Sequence, residues 1–243
     1  VFDAEGFLVA RVGGLGRELT ALAVSPDGAS VCVLDANKGV VQRLNGRALG
    51  EKPVTVGQKG TNNGQYKEPT RLALDEAGRI YVLDAGLHRV VVFDAEGRFQ
   101  FTFGRFERGK SGDELHDPRL LAVSPAGDAA YVYDYDKYDV KKFALDQAKQ
   151  TGTHVTNAGG KGDSPGQIRK LAGLGCDRRG LIYLLDIGRE DLQVLDFRGS
   201  NAVAIHAWKF DGQLGVRRPE HLAVAPDGQF MIGPVGSAVG FRW

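Results

Sequence analysis

One phrase of about fifty residues occurs five times in this chain, and no other feature restricts the fold as strongly. Its turn reads SPDG at Ser25–Gly28, DEAG at Asp75–Gly78, SPAG at Ser124–Gly127, DRRG at Asp177–Gly180 and APDG at Ala225–Gly228. The closing glycines Gly28, Gly78, Gly127, Gly180 and Gly228 stand 50, 49, 53 and 48 residues apart. A period in this range marks stacked or radially arranged units, each of which buries its apolar face only against a neighbour. The repeat runs through nearly all 243 residues, so residues 1–243 are expected to form one repeat domain rather than two unrelated ones.

Each copy reads as four strands. In the second, Arg71–Asp75, Arg79–Asp84, Val90–Asp94 and Arg98–Gly104 are short alternating runs rich in Val, Ile, Phe and Tyr. They are separated by Glu76-Ala77-Gly78, by Ala85–Arg89 and by Ala95-Glu96-Gly97. Period-2 runs bounded by Gly and Asp are the signature of hairpin-linked strands. Four antiparallel strands in each unit of about 40–50 residues describe a propeller blade. The expected fold is therefore all-β, a β-propeller of about five, or six, four-stranded blades. The last copy shows only three strands, His221–Ala225, Gln229–Ile232 and Ala238–Trp243. The stretch Phe7–Val12 is expected to supply the missing outer strand and close the ring. The chain opens in mid-repeat, VFDAEG at Val1–Gly6 matching Val92–Gly97, and so reads as part of a longer protein.

The stretch Gly64–Gly104 resembles an NHL repeat. It has Gly64-Gln65-Tyr66, Pro69 before the inner strand, the turn Asp75–Gly78, and the strand end Val82-Leu83-Asp84. Leu87-His88-Arg89 stands where that family has Asn-His-Arg, and Val90–Asp94 and Phe103-Gly104 follow in pattern. The other copies match more loosely and keep the turn, with Asp35, Asp134 and Asp186 at the strand end and Gly233-Pro234 there in the last copy. The resemblance implies a propeller fold. The functions it implies range over protein-binding and scaffold modules, sensor domains, RNA-binding domains and a few lyases.

Most motifs that suggest chemistry have a simpler reading here. Gly104–Ser111 spells the phosphate-binding loop G-x-x-x-x-G-K-S, but Pro118 and a strand follow where that loop requires a helix. It is expected to be an inter-blade loop. Of the five histidines, only His116 and His221 fall near the channel mouth of a propeller, and a metal site needs three or four converging ligands. A metal-dependent lyase or lactonase would require both to meet carboxylates there. The recurring Asp35, Asp84, Asp134 and Asp186 are expected to accept backbone N–H bonds rather than hold a metal ring. Cys32 and Cys176 lie in strands of distant copies and read as buried free thiols. No cofactor is implied. No apolar run approaches the roughly 20 residues that a membrane helix requires.

Charge supplies one asymmetry. Lys and Arg number 31 against 30 Asp and Glu, so the whole chain has no bias toward nucleic acid or anionic membranes. The segments joining one blade to the next are different. Gly13–Leu19, Gly57–Arg71, Gly104–Arg119, Thr156–Lys170 and Lys209–His221 together carry 14 cations and 9 anions. In a propeller these segments share one face. Arg71 and Arg119 are expected nearest the channel mouth, with Lys67, Arg169, Lys170, Arg217, Arg218 and His221 on the same face. With only Tyr66, Phe106 and Phe210 as aromatics in these segments, base stacking is not favoured. The expected function is a non-catalytic binding or scaffold module that meets a protein partner through this face. A lyase or lactonase and an RNA- or polyanion-binding propeller are the alternatives.

Overall fold

The computed structural model describes residues 12–15, 18–105, 113–198, 202–210, 219–233 and, as backbone, 239–241. These form five antiparallel sheets whose strands run in chain order from the innermost to the outermost. Blade 1 contains β1 (Leu19–Val24), β2 (Ser30–Asp35), β3 (Val40–Asn45) and β4 (Val54–Val56). A short parallel pair, β5 (Gln58–Lys59) and β6 (Gln65–Tyr66), leads to blade 2. Blade 2 contains β7 (Pro69–Leu74), β8 (Ile80–Asp84), β9 (Arg89–Phe93) and β10 (Phe99–Phe103). Blade 3 contains β11 (Pro118–Val123), β12 (Ala129–Asp134), β13 (Asp139–Asp146) and β14 (Thr151–Gly159). Blade 4 contains β15 (Leu171–Cys176), β16 (Leu181–Asp186), β17 (Asp191–Asp196) and β18 (Val203–Lys209). Blade 5 contains β19 (His221–Val224), β20 (Phe230–Gly233) and β21 (Val239–Phe241). The expected closing strand Phe7–Val12 lies outside the described residues except for Val12.

The repeated turn explains how each inner hairpin forms. The turn glycine takes a positive φ in all five copies, from +69° at Gly28 to +89° at Gly228. Its N–H donates to the carbonyl three residues back, at 2.8–3.1 Å, in every blade. A side chain at that φ is strained, which is why glycine recurs there. The side chain opening the turn completes it. Asp75 accepts from the Arg79 amide at 3.0 Å and from the Tyr81 hydroxyl at 2.8 Å, and Asp177 accepts from the Leu181 amide at 3.0 Å. Ser25 and Ser124 accept instead from the amides of Ser30 and Ala129.

The core lies between blades. One apolar cluster joins each successive pair, including Cys32, Leu34 and Leu72 between blades 1 and 2, and Tyr81, Phe103 and Phe143 between blades 2 and 3. Tyr131, Leu184 and Phe197 join blades 3 and 4, while Tyr183, Leu185 and Phe230 join blades 4 and 5. Because both faces of a middle blade are covered, its second strand is buried at every position, as in β8, β12 and β16.

The ends of the array differ from its middle. Leu22, Leu72, Leu121, Leu174 and Leu222 occupy one register level, opposite Val33, Val82, Val132, Leu184 and Ile232. Leu72 and Leu121 are 8% and 7% exposed and pack on the preceding blade, whereas Leu22 is 65% exposed. At the other end Met231 stands where Tyr81, Tyr131 and Tyr183 are buried against the next blade, and it is 50% exposed.

Candidate functional site

The joining segments are folded in a repeated way. Three of them turn back on themselves through parallel pairing: Gln58 with Gln65, Arg105 with Glu114, and Lys161 with Ile168. Each is then fastened to the blade it enters by the buried carboxylate that ends the second strand. Asp84 accepts from the amides of Lys67 and Glu68 at 3.0 and 2.9 Å. Asp134 accepts from those of His116 and Asp117, both at 2.8 Å. Asp186 accepts from those of Arg169 and Lys170 at 2.7 and 2.9 Å. All three carboxylates are shielded from solvent, where bonds from N–H to an ionised acceptor are strong. The recurring Asp thus accepts backbone N–H bonds, mainly from the incoming segment rather than the turn that follows. Asp35 is the exception, accepting from the Lys38 amide at 3.1 Å.

Two blades add an arginine fastener. Arg89 Nη2 donates to the carbonyls of Asn62 and Gln65, both at 3.1 Å. Arg189 Nη1 donates to the Ser164 carbonyl at 3.1 Å, while Nη2 of the same guanidinium pairs with buried Asp191 at 3.1 Å. Blade 3 carries Asp139 and Lys141 in this region, with Lys141 Nζ 3.6 Å from Asp139.

The sequence-predicted cations take different places on the face. Arg71 lines the channel mouth, where its Nη1 donates to the Thr70 carbonyl at 2.9 Å. The channel walls desolvate its guanidinium and lower its pKa. His221 lines the same cavity and is exposed. Arg119 pairs with Asp117 at 2.7 Å, and this bond raises its pKa. Arg169 pairs with Asp163, while Lys67 and Lys170 are exposed and offer their amides to the fastening carboxylates. Arg217 and Arg218 lie outside the described residues, as does most of the Gly104–Ser111 segment. His116 lies 3.4 Å from Glu114, and among the described residues no three His, Cys, Asp or Glu side chains gather as a metal-holding group.

Sequence reasoning missed an aromatic ledge beside Arg119. The Arg119 guanidinium lies 3.6 Å over the Tyr135 ring, and Tyr135 and Tyr138 are 5.2 Å apart at a tilt. Lys161 sits 5.1 Å over Tyr138, and Tyr133 meets Tyr135 edge to face at 6.4 Å. Tyr135 and Tyr138 belong to the loop between the second and third strands of blade 3, which shares the face with the joining segments, while Tyr133 is buried near the end of β12. The signal was the run YDYDKY at Tyr133–Tyr138. Among the described residues no helix is long and apolar enough to cross a membrane.

Comparison with known proteins agrees with this geometry. The family model described as NHL repeat matches residues 66–93. A stretch of 67 residues is 42% identical to Protein brain tumor of Drosophila melanogaster, covering 28% of this chain and 6% of that protein. Another of 45 residues is 47% identical to B-box type zinc finger protein ncl-1 of Caenorhabditis elegans, covering 18% of this chain and 5% of the relative. The chain therefore matches only a small part of the length of these relatives. Among solved structures, a propeller chain from the crystal structure of a nidogen/laminin complex superimposes with a TM-score of 0.57 at 17% identity. The match covers 88% of this chain and 71% of that one, a likeness of fold.

Proposed function

The chain is an NHL-repeat-like β-propeller, and from that premise we propose that it is a non-catalytic binding or scaffold module that holds a protein partner on its joining-loop face. The observation that carries this reading is the ledge of Arg119, Tyr135, Tyr138 and Lys161 on a rigidly fastened surface. Tyrosine and arginine dominate the energetics of protein interfaces, because each offers a large contact area with a polar tip. Fastened loops lose little conformational freedom on binding, which favours affinity. Residues 1–243 are read as one domain.

A photo-crosslinking side chain in place of Tyr138 tests the reading, with the same group at Val155 on the outer strand β14 as control. Partner proteins should be captured from Tyr138 and lost when Arg119→Glu is added. Equal capture from both positions, or none from Tyr138, would sink it. The cation-over-ring pairs also suit a polyanion, so the salt dependence of any complex separates the two readings. A steep fall of log affinity with log salt marks a phosphate backbone.

A further inference from the structure

We propose that the mouth of the central channel is a binding site for a small amphipathic carboxylate, held by Arg71 at its anionic end and by leucines along its alkyl chain. This goes beyond the protein-binding reading and does not rest on it, since the ligand sits within the channel rather than on the Tyr135–Tyr138 ledge.

Strand register places the groups. Ala21, Arg71, Leu120, Gly173 and His221 stand on one level of the five inner strands, opposite Leu34, Leu83, Tyr133, Leu185 and Gly233. All five line one cavity of about 680 Å³. The next level inward holds the leucines Leu22, Leu72, Leu121, Leu174 and Leu222, which line the same cavity. Two levels further, Val24, Leu74, Val123, Cys176 and Val224 line a second cavity of about 710 Å³. Below its basic level the inner-strand side chains that line the channel are apolar.

Arg71 is the exception in this lining. Among the described residues it forms no ion pair, in contrast to Arg119 and Arg169 on the same face. Its remaining guanidinium N–H groups can therefore take a bidentate acceptor, the geometry a carboxylate presents. Glu220 also lines the mouth, and it disfavours a dianion such as a phosphate more than a monoanion. From Arg71 to Leu74 the strand rises about 10 Å, which suits an alkyl chain of about eight carbons. Leu22, Leu174 and Leu222 keep surface exposed to such a chain, and burying it supplies the apolar share of the affinity.

The test uses the full chain and octanoate, with 1-octanol as the uncharged probe, by titration calorimetry. Octanoate should bind at least about tenfold more tightly than octanol, the worth of a charge-assisted bond. Arg71→Gln should abolish that preference and leave octanol binding unchanged. Arg71→Lys should keep part of it, and Arg119→Gln should keep all of it. Matching thermal melts confirm that the variants are folded. Equal affinity for the two probes, no heat with octanoate, or an Arg71→Gln variant that retains the preference would each overturn the proposal.

Discussion

Glu76 and Arg178 are 102 residues apart in sequence, yet Arg178 Nε donates to Glu76 Oε1 at 3.1 Å. The pair joins the turn of blade 2 to that of blade 4. The Glu76 amide also bonds the Pro125 carbonyl of blade 3, and the Arg178 amide bonds that of Pro226 in blade 5. Both side chains are exposed, at 40% and 64%. A double-mutant cycle with Glu76→Gln and Arg178→Gln should give a coupling of about 0.2–1 kcal/mol by denaturant unfolding. A coupling several times larger would make the bridge a principal fastening of the array.

The fastening carboxylates should matter far more. Asp84→Ala removes the buried acceptor of two backbone amides, so it should cost about 2–4 kcal/mol. Asp84→Asn keeps one acceptor oxygen and should recover part of that loss. The measurement is the urea midpoint with its slope, and a midpoint within error of the parent would refute the fastening role.

Leu22 and Leu121 test the unequal ends of the array. They share a register level but differ in burial. Leu121→Ala should cost about 2–4 kcal/mol by opening a cavity, and Leu22→Ala about 0.5 kcal/mol or less. Equal losses would show that Leu22 is covered in solution.

The cysteines should be inert in the folded protein. Burial pushes the Cys32 thiol up to about 12 and also raises that of Cys176. The thiolate is the reactive form, so at pH 8 a disulfide reagent should label neither residue until denaturant is added, and then both. Fast labelling of the native protein would contradict the packing of Cys32 in the core between blades 1 and 2.

Asp196 gives a small acid dependence. Its bond to Arg198 holds its carboxyl below the ordinary carboxylate value. A depressed folded value contributes stability above the unfolded pKa, and that stability is lost as pH falls through the folded one. Asp196→Asn should therefore lower the melting temperature at pH 7 and lose its effect in acid. The change should be at most about 1 kcal/mol, because Arg198 is 64% exposed and solvent screens the pair. A difference that persists undiminished in acid would assign it to something other than charge.

Blade architecture was legible because alternation and turn chemistry are local. The expected strand Arg79–Asp84 is observed as Ile80–Asp84. Inner strands begin earlier than expected, at Pro69 and Pro118, because proline is tolerated at the first position of a strand. The fastening of the loops was only partly legible. The Asp residues were read as amide acceptors, but which amides they reach depends on where a segment seventeen or so residues earlier returns. Arg89 and Arg189 gave no sign in sequence of the carbonyls they hold, because those contacts form only when the joining segment folds back. The aromatic ledge was missed because Tyr135 and Tyr138 lie outside the joining segments, although they share the same face.

Asp84, Asp134 and Asp186 bond to amides, which nearly every residue carries, and not to side chains. The residues whose amides they hold are Lys67, Glu68, His116, Asp117, Arg169 and Lys170, a set with no common chemistry. Selection on the blades is thereby separated from selection on the surface. Mutation can rewrite the joining segments for a new partner without renegotiating the core, and a duplicated blade brings its own blank label.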